Sequence, residues 1–457
     1  MIHSRTHFVS RQGIHFYRDG SRYPIVGTNL WYAANLASTA EGRVRLDREL
    51  ELLENHGINN LRILASSEAA AFDACIRPAM QAAPGIYDEA ILCGLDYALA
   101  KIGERDMTAV VYFGNYWDWS GGFLQYIAWA DGEPVYDHAK NPDASYDVRL
   151  EKASSFYSNK KANGLFRNLI SDIIARTNTV NGLKYLDDPA IMTWEVANEP
   201  RAWEGMEVGA GFDPFLKWCD ETCGFIKSLD PHRLVTLGSE GAVGCCDRLD
   251  IFERAHSSPH IDYTTAHIWP KNRGWFRDAT WEADLAPSIQ KTMDYLHAHE
   301  SVSRRLNRPL VIEEFGLSRD AGECTVESAT TARDEFFMTI FHAIMQAPPE
   351  SALAGFNFWS WGGYGRAATN TTRAFTHGPE DFKWRQGDEW LGDPPEEAQG
   401  LNSIFDVDLS TLEIIRQTAQ EIFCESNVMA DPGTDERRKD SELAQISAGD
   451  HAPLKIT

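Results

Sequence analysis

Two short apolar runs that each end in a carboxylate place the strongest constraint on the fold of this chain. Residues 191–199 run up to Glu199 and are followed by Pro200, and residues 310–314 run up to Glu314 and are followed by Phe315 and Gly316. Such runs are typical of short buried strands, and Pro200 cannot donate to a sheet ladder. We therefore predict that Glu199 and Glu314 lie at the C-terminal tips of two strands and face one substrate.

Other apolar runs alternate with helical patterns along the whole chain. Strands are predicted at residues 23–29, 58–64, 108–113, 191–199, 234–237, 263–267, 310–314 and 355–359. Helices are predicted at residues 41–56, 88–103, 164–177, 212–229, 286–307 and 330–345, and a small hairpin at 10–19. This order predicts the α/β fold class, specifically a (β/α)8 TIM barrel.

The barrel is predicted to be a single catalytic domain over residues 1–425 with extended loops after its strands. Residues 131–158 and 366–399 are the two long insertions. Residues 426–457 lack aromatic side chains and are rich in charged and small residues, a composition typical of disorder. The sequence therefore predicts a disordered C-terminal tail.

The composition narrows the class of partner. A net charge of −24 argues against nucleic acid and against an anionic membrane surface. No stretch has the apolar length of a membrane span, and the N-terminus lacks the apolar core of a signal peptide. The chain as written is therefore expected to be cytoplasmic, unless its true start lies further upstream. Most of the fourteen Trp residues are expected to be core positions. Indole faces also stack on sugar rings, so a neutral carbohydrate suits both the charge and the Trp count. The oligomeric state stays open.

The eight cysteines do not indicate a metal site. Cys219 and Cys223 are four apart, and Cys245 and Cys246 are adjacent, but neither pair has a partner pair at zinc-finger spacing. Reduced thiols are the favoured interpretation, and a disulfide cannot be inferred. No phosphate-binding or dinucleotide-binding glycine motif follows a predicted strand, so no metal and no cofactor are expected.

The two carboxylate segments resemble the active-site segments of glycoside hydrolase family 5. They read Trp-Glu-Val-Ala-Asn-Glu-Pro-Arg and Ile-Glu-Glu-Phe-Gly. Segments at 26–32, 115–126, 267–270, 358–363 and 392–395 resemble the β-mannanase branch of that family. The resemblance spans residues 8–422, and the order and spacing of the motifs make it specific.

The resemblance implies the role of three residues in retaining hydrolysis. Glu199 matches the family's acid/base, on strand 4, and Glu314 matches its nucleophile, on strand 7. Arg62, at the tip of strand 2, matches the arginine that keeps the nucleophile ionised. The alternatives are that Glu313 is the nucleophile instead of Glu314, since neighbours on a strand point to opposite faces, and that Arg62 is only a structural ion pair.

The resemblance also implies substrate-binding residues. Asn198 matches the residue that hydrogen-bonds the sugar 2-hydroxyl, His267 matches a histidine that lines the site, and Trp359 matches the floor under the reacting sugar. Trp31 lies in one of the matching segments and is predicted to contact substrate. A structural core position is the alternative for His267.

Three tryptophans leave questions open. Trp117, like Trp119, is either a sugar platform or loop packing. Trp269 stands where many family members have a Tyr whose hydroxyl contacts the nucleophile. An indole N–H donates but does not accept, so either Trp269 donates there or another group does.

These features predict a retaining hydrolase of β-1,4-mannosidic bonds in mannans or mannooligosaccharides. Endo action is narrowly favoured on family frequency, and exo action on short mannooligosaccharides is the first alternative. A β-1,4-glucanase and an inactive sugar-binding barrel are the others. The loops that open or close the cleft decide between endo and exo action.

Overall fold

Eight parallel strands form the centre of the protein. The computed structural model describes residues 8–71, 74–137, 140, 145–203, 212–367 and 384–430. The strands, numbered 1 to 8 as barrel strands, are Ile25–Asn29, Asn60–Leu64, Thr108–Tyr112, Ile191–Glu195, Leu234–Thr236, Thr264–Ile268, Leu310–Phe315 and Leu353–Phe358. All of their residues except Leu353 are buried, as expected for a parallel sheet covered on both sides.

The strands are arranged in chain order around a barrel. They pair in parallel in the order 5-4-3-2-1-8-7-6, so strands 5 and 6 are the two ends of the ladder. Two hydrogen bonds join these end strands. The Asp262 N–H donates to the Val235 carbonyl (2.8 Å), and the Thr236 hydroxyl donates to the Tyr263 carbonyl (2.9 Å). The predicted (β/α)8 barrel is confirmed.

Helices follow the strands on the outside of the barrel. They are α1 Ala33–Leu36, α2 Ala40–Asn55, α3 Glu89–Glu104, α4 Gly122–Asp131, α5 Tyr146–Ser154, α6 Lys160–Ile174, α7 Asp213–Leu229, α8 Leu249–Ala255, α9 Trp281–Arg305, α10 Thr331–Met345 and α11 Leu409–Ala430. The six predicted helices correspond to α2, α3, α6, α7, α9 and α10. Side chains of Thr39, Asp88 and Asn159 cap the N-termini of α2, α3 and α6, which fixes where these helices begin.

The N-terminal hairpin closes the bottom of the barrel. Ser10–Gln12 pairs antiparallel with His15–Arg18, as predicted, and Ser21–Arg22 adds a third short strand. Phe16 packs edge-to-face on Tyr263, with ring centroids 5.2 Å apart. Because this end is filled by side chains, a substrate has access from the C-terminal ends of the strands, where loops carry functional groups in this fold.

The long insertions and the C-terminus contain structure that the sequence did not indicate. Helix α5 lies within the predicted polar insertion 131–158, and Ser145 caps it by accepting the Val148 N–H at 3.3 Å. Residues 426–430 belong to α11 rather than to the predicted tail, whereas residues 431–457 lie outside the described part of the chain, as do residues 368–383 of the second insertion. In the described ranges, no helix is long and apolar enough to cross a membrane.

Candidate active site

A cavity of about 370 Å³ opens at the C-terminal end of the barrel. Seven of the nine predicted site residues line it: Trp117, Asn198, Glu199, His267, Trp269, Glu314 and Trp359. Arg62 lies fully buried beneath it and contacts Glu314. The barrel therefore brings together residues that are distant in sequence, because each lies in a strand or in the loop after one. The sequence placed Arg62 at the tip of strand 2, but it lies in the middle of Asn60–Leu64, and its long side chain reaches Glu314 from beneath the cavity.

Glu199 was predicted to end barrel strand 4, but it lies in the loop that follows the strand. The strand ends at Glu195, and the backbone then bends so that the Asn198 N–H donates to the Gly114 carbonyl (2.8 Å). Glu199 itself adopts a left-handed conformation (φ +53°), uncommon for a residue with a side chain, and its N–H donates to the Gly238 carbonyl (2.8 Å). Bonds to the loops after strands 3 and 5 thus hold the carboxyl group over the cavity.

Arg62 organises the floor of the site. Its Nε and Nη2 donate to the two oxygens of Glu195, at 3.0 and 2.6 Å. Nη2 also donates to the Asn198 side-chain oxygen (2.8 Å), and Nη1 donates to Asn29 (3.0 Å) and Glu314 (2.5 Å). All five N–H groups of the guanidinium are therefore used, and the cation is held rigidly against Glu314.

Glu314 is held by two donors in a buried setting. Oε1 accepts from Arg62, and Oε2 accepts from the Trp269 indole N–H at 3.2 Å. Burial, followed by the charge of Glu199, raises the pKa of Glu314, whereas Arg62 and Trp269 lower it. Both donors favour the ionised form, so when the two acids share one proton the negative charge resides on Glu314.

Glu199 is placed as the proton-bearing partner. Its Oε2 accepts from the Trp117 indole N–H (2.5 Å), and its Oε1 lies 2.6 Å from His267 Nδ1. Burial raises the pKa of Glu199, and the charge of Arg201 opposes that shift. Burial also lowers the pKa of His267 to about 3, so the imidazole is neutral at ordinary pH.

The two carboxyl groups are close enough for retaining chemistry. One oxygen of Glu199, one oxygen of Glu314 and one nitrogen of His267 all lie within 4.8 Å of one another. Retaining glycosidases place their two carboxyl groups about 5–5.5 Å apart, whereas inverting enzymes leave about 6.5–9.5 Å for a water molecule. The separation favours direct attack by one carboxylate on the sugar.

Asn198 lines the cavity, and its side chain is held by two neighbours. Its side-chain oxygen accepts from Arg62, and its Nδ2 donates to the Asn115 side-chain oxygen (3.2 Å). An amide nitrogen has two N–H groups. Asn198 therefore has a second N–H available for a sugar hydroxyl.

The geometry answers the question left open at Trp269. Its indole N–H donates to Glu314, which is the contact expected of the tyrosine that many relatives have there. A side chain at Gly316 would lie 2.9 Å from both the Trp269 ring and the Trp359 carbonyl. The glycine after Phe315 therefore leaves space for the indole beside the nucleophile.

We expect Trp269→Phe to lower kcat/KM by about 10- to 100-fold, since a hydrogen bond to a charged group contributes about 1.5–3 kcal/mol. Losing a donor to the ionised form raises the pKa of Glu314, so the acidic limb of the pH profile should move to higher pH. Trp275→Phe, in the same loop but outside the cavity lining, is the matched control. An unchanged acidic limb in Trp269→Phe contradicts the assignment.

Two other tryptophans of the cavity, Trp359 and Trp117, make different contacts. Trp359 lines the cavity and packs edge-to-face on Trp269, with centroids 6.2 Å apart. Trp117 donates to Glu199, and Arg149 and Arg201 lie 5.1 and 4.8 Å from its ring; it is a hydrogen-bond donor to the acid rather than a bare platform.

The predicted substrate contact of Trp31 has no support in the structure. Trp31 is absent from the lining of the cavity in the described part of the chain. It is buried behind the wall, packs on Trp119 (5.3 Å between centroids) and donates to the Gly392 carbonyl (2.7 Å). Trp31 therefore supports the loops that carry Trp119 and Gly392. It is buried because, among the described residues, no cleft opens beside its ring.

Sequence reasoning missed several polar residues of the site. Glu195 holds Arg62 through both oxygens, and Arg201 forms an ion pair with Glu240 (2.5 Å). Arg149 forms an ion pair with Glu396 at 3.0 Å, and both line the cavity. Glu195 had a signal, since a buried cation on one strand needs a buried anion elsewhere in the barrel. The other two ion pairs join distant loops, and no pattern in the sequence indicates them.

Comparison with known proteins places this site in a family. The family described as GH family 5 beta-mannosidase-like matches residues 6–427. The chain belongs to glycoside hydrolase family 5. Among solved structures, a family 5 mannosidase from Rhizomucor miehei is 33% identical, with a TM-score of 0.82 over 93% of this chain and 99% of that one. A mutant of that mannosidase has been solved with mannosyl-fructose.

Mannanases are more distant relatives of this family 5 enzyme. "Mannan endo-1,4-beta-mannosidase 4" of Solanum lycopersicum is 27% identical over 374 residues, which are 80% of this chain and 86% of that protein. The endo-1,4-beta-mannanase of Rhizomucor miehei shares the fold, with a TM-score of 0.62 and 20% identity over 90% of this chain and 99% of that one. Family members hydrolyse glycosides with retention, and the close carboxyl pair agrees with that chemistry.

Proposed function

We propose that this family 5 enzyme hydrolyses β-mannosidic bonds of mannooligosaccharides, with Glu199 as acid/base and Glu314 as nucleophile. The observation that carries the proposal is the different environment of two adjacent carboxyl groups. Glu314 accepts from the Arg62 cation and from Trp269. Glu199 instead accepts from the neutral indole of Trp117 and contacts the neutral His267. Pairs of titratable groups whose environments push their pKa values apart are how such enzymes assign acid and base.

In the first step, the Glu314 carboxylate attacks the anomeric carbon of the sugar. The bond from that carbon to the glycosidic oxygen breaks, and Glu199 gives its proton to the departing oxygen. The product is a glycosyl ester on Glu314 with Glu199 as a carboxylate. Trp117 then stabilises the new charge, because its N–H already points at Oε2 of Glu199.

In the second step, Glu199 acts as the base. It accepts a proton from a water molecule whose oxygen attacks the anomeric carbon, and the ester bond to Glu314 breaks. Arg62 stabilises the carboxylate that is released. Two displacements on the same carbon leave the anomeric configuration as it was.

The mannose preference is supported by the relatives and is tested by substrate choice. The catalytic groups alone do not distinguish β-mannosides from β-glucosides, so a β-1,4-glucanase is the competing enzyme. Rates on mannotriose and cellotriose, measured side by side, should favour mannotriose. A higher rate on cellotriose contradicts the proposal, and no turnover of any oligosaccharide would show an inactive sugar-binding barrel.

The cleft geometry favours removal of sugars from a chain end. The cavity is at the small end of the range for ligand pockets, which is about 300–1,000 Å³. Arg149, on α5, forms ion pairs with Asp118 and with Glu396 of the second insertion. Both predicted insertions thus contribute to one wall of the cavity, and the ion pair between Arg149 and Glu396 connects them. This wall supports exo action over the endo action that family frequency narrowly favoured.

The product profile from mannohexaose separates the two modes of action. We expect mannose from the first minutes with the natural enzyme. Arg149→Ala breaks both ion pairs of the wall, so mixed oligosaccharides should become a larger share of the early products. Lys152→Ala, an exposed position on the same helix, is the matched control and should leave the profile unchanged. Mixed oligomers from the natural enzyme at the earliest times contradict exo action.

A further inference from the structure

Glu313 is a buried carboxyl group that the proposed mechanism does not use. It has no solvent exposure, and neither oxygen has a hydrogen-bond partner among the described residues. A buried carboxylate ion without hydrogen bonds is strongly unfavourable. Burial, followed by the charge of Glu195, raises the pKa of Glu313 well above its ordinary value. Burial without a hydrogen-bond partner therefore favours the neutral carboxylic acid at Glu313.

Arg62 has no hydrogen bond left to give to Glu313. Its Nε lies 3.7 Å from Glu313 Oε2, and its five N–H groups are directed at Glu195, Asn198, Asn29 and Glu314. If Glu313 were ionised, three buried carboxylates would share one cation. A proton on Glu313 leaves the charge of Arg62 to Glu195 and to Glu314.

His267 presents a second buried group without a partner. Its Nε2 has no hydrogen bond within the described residues, and it lies 3.8 Å from Glu313 Oε2. Its Nδ1 lies 2.6 Å from Glu199 Oε1. A neutral imidazole has one N–H for two nitrogens, so the group that faces Nε2 decides whether Nδ1 can accept the proton of Glu199.

We propose that Glu313, as a neutral acid, accepts the Nε2–H of His267 and so fixes the tautomer whose Nδ1 lone pair faces Glu199. One Glu313 oxygen then accepts from His267, and the other carries its proton toward the Glu195 carboxylate. The bond to His267 requires the 3.8 Å separation between His267 Nε2 and Glu313 Oε2 to shorten to hydrogen-bond length. Glu313 is thus a positioning residue, which acts on the acid/base through His267.

Several other titratable groups surround the two acids and the imidazole, and His267 Nδ1 also lies 3.4 Å from Glu314 Oε2. The titratable side chains that face Glu313 are Arg62, Tyr112, Glu195, Tyr263, His267 and Glu314. Those that face Glu199 are Arg62, Tyr146, Arg201, Glu240, His267, Glu314 and Glu397. Trp117 only donates to Glu199 Oε2, which leaves Oε1 to carry the proton toward Nδ1.

This tautomer serves both catalytic steps. In the free enzyme, the Nδ1 lone pair holds the proton of Glu199 in place until the glycosidic oxygen arrives. After that proton is transferred, the same lone pair faces a carboxylate, which makes Glu199 a stronger base toward water. The opposite tautomer would donate to Glu199, lower its pKa and weaken it as acid and as base at neutral pH.

The test compares Glu313→Leu with Glu313→Gln. Leucine cannot accept the Nε2–H, so His267 should switch tautomer, and the basic limb of kcat/KM should move to lower pH by about one unit, about a tenfold loss on the alkaline side. Glutamine offers a carbonyl to His267 and an N–H to Glu195, and should restore the limb to its wild-type position. If both variants keep the wild-type limb, or if Glu313→Gln shifts it as far as Glu313→Leu does, the proposal is wrong.

A spectroscopic measurement reads the tautomer without turnover. With ¹⁵N-labelled histidine, the His267 Nδ1 signal, assigned by its loss in His267→Gln, should have the chemical shift of a nitrogen with a lone pair in the wild type and in Glu313→Gln. In Glu313→Leu it should have the shift of a protonated nitrogen. A protonated Nδ1 in the wild type contradicts the inference. The inference rests on the proposed role of Glu199, but this signal does not depend on it, so the two failures are distinguishable.

Discussion

Glu314→Ala should abolish turnover of every substrate, with good and poor leaving groups alike. The variant removes the group that forms the bond to the anomeric carbon, so the first step is lost. We expect a loss of about 10⁴-fold or more in kcat, as for the removal of other nucleophiles. External azide should restore turnover by attacking the opposite sugar face, with a mannosyl azide of inverted configuration as the product. Steady-state kinetics and NMR of the azide product measure both effects.

The matched control for this variant is the neighbouring carboxyl group. Glu313 lies on the same strand and near the same arginine, but Glu313→Gln keeps a neutral side chain of similar shape. Its kcat should stay far above that of Glu314→Ala. Near-normal activity in Glu314→Ala, together with an inactive Glu313→Ala, means that the wrong neighbour was assigned.

Glu199→Ala should separate substrates by their leaving groups. A natural sugar leaves as a basic oxygen and needs the proton, so the rate on mannotriose should fall by about 10²–10⁴-fold. A nitrophenolate leaves without a proton, so the first step on an aryl β-mannoside should be nearly normal. The second step loses its base, and the glycosyl-enzyme should accumulate. We expect a burst of nitrophenol followed by slow turnover.

Glu199→Gln is the control for this variant, since it retains the contacts to Trp117 and His267 but carries no acid. It should show the same separation of substrates. If Glu199 only positions the sugar, both substrate types slow by similar factors and no burst is seen. Equal losses on mannotriose and on the aryl mannoside therefore contradict the acid/base assignment.

The barrel and its catalytic pair could be predicted because both depend on local patterns. Apolar runs such as residues 310–314 mark buried strands, and in a parallel barrel the ends of all strands meet at one edge. Glu199 and Glu314 therefore converge although they are distant in the chain. The role of Arg62 came from the resemblance to the family, since its position in the middle of strand 2 does not by itself indicate a partner at that edge.

The features that could not be predicted depend on contacts between loops. The ion pair between Arg149 and Glu396 joins the two insertions, and no periodicity in either segment indicates it. Trp117 and Trp31 are both aromatic residues after a strand, yet one contacts Glu199 and the other lies behind the wall. Their surroundings are set by neighbouring loops, which the local sequence does not specify.

The exact bend before Glu199 was also beyond local reasoning. Pro200 suggested that strand 4 continues to the carboxylate, but hydrogen bonds to Gly114 and Gly238 end it earlier and turn the chain. From the sequence, Glu313 was an alternative candidate for the nucleophile. The structure shows instead that it lies without a hydrogen-bond partner among the described residues, opposite the free nitrogen of His267.

The position of the covalent intermediate tests the central claim most directly. Glu199→Ala, mixed with an aryl β-mannoside and quenched during the slow phase, should carry one mannosyl group per active site. Mass spectrometry of the digested protein should locate that group on Glu314. A mannosyl group on Glu313, or a protein that carries no sugar while nitrophenol is still released, would contradict retaining hydrolysis by Glu199 and Glu314.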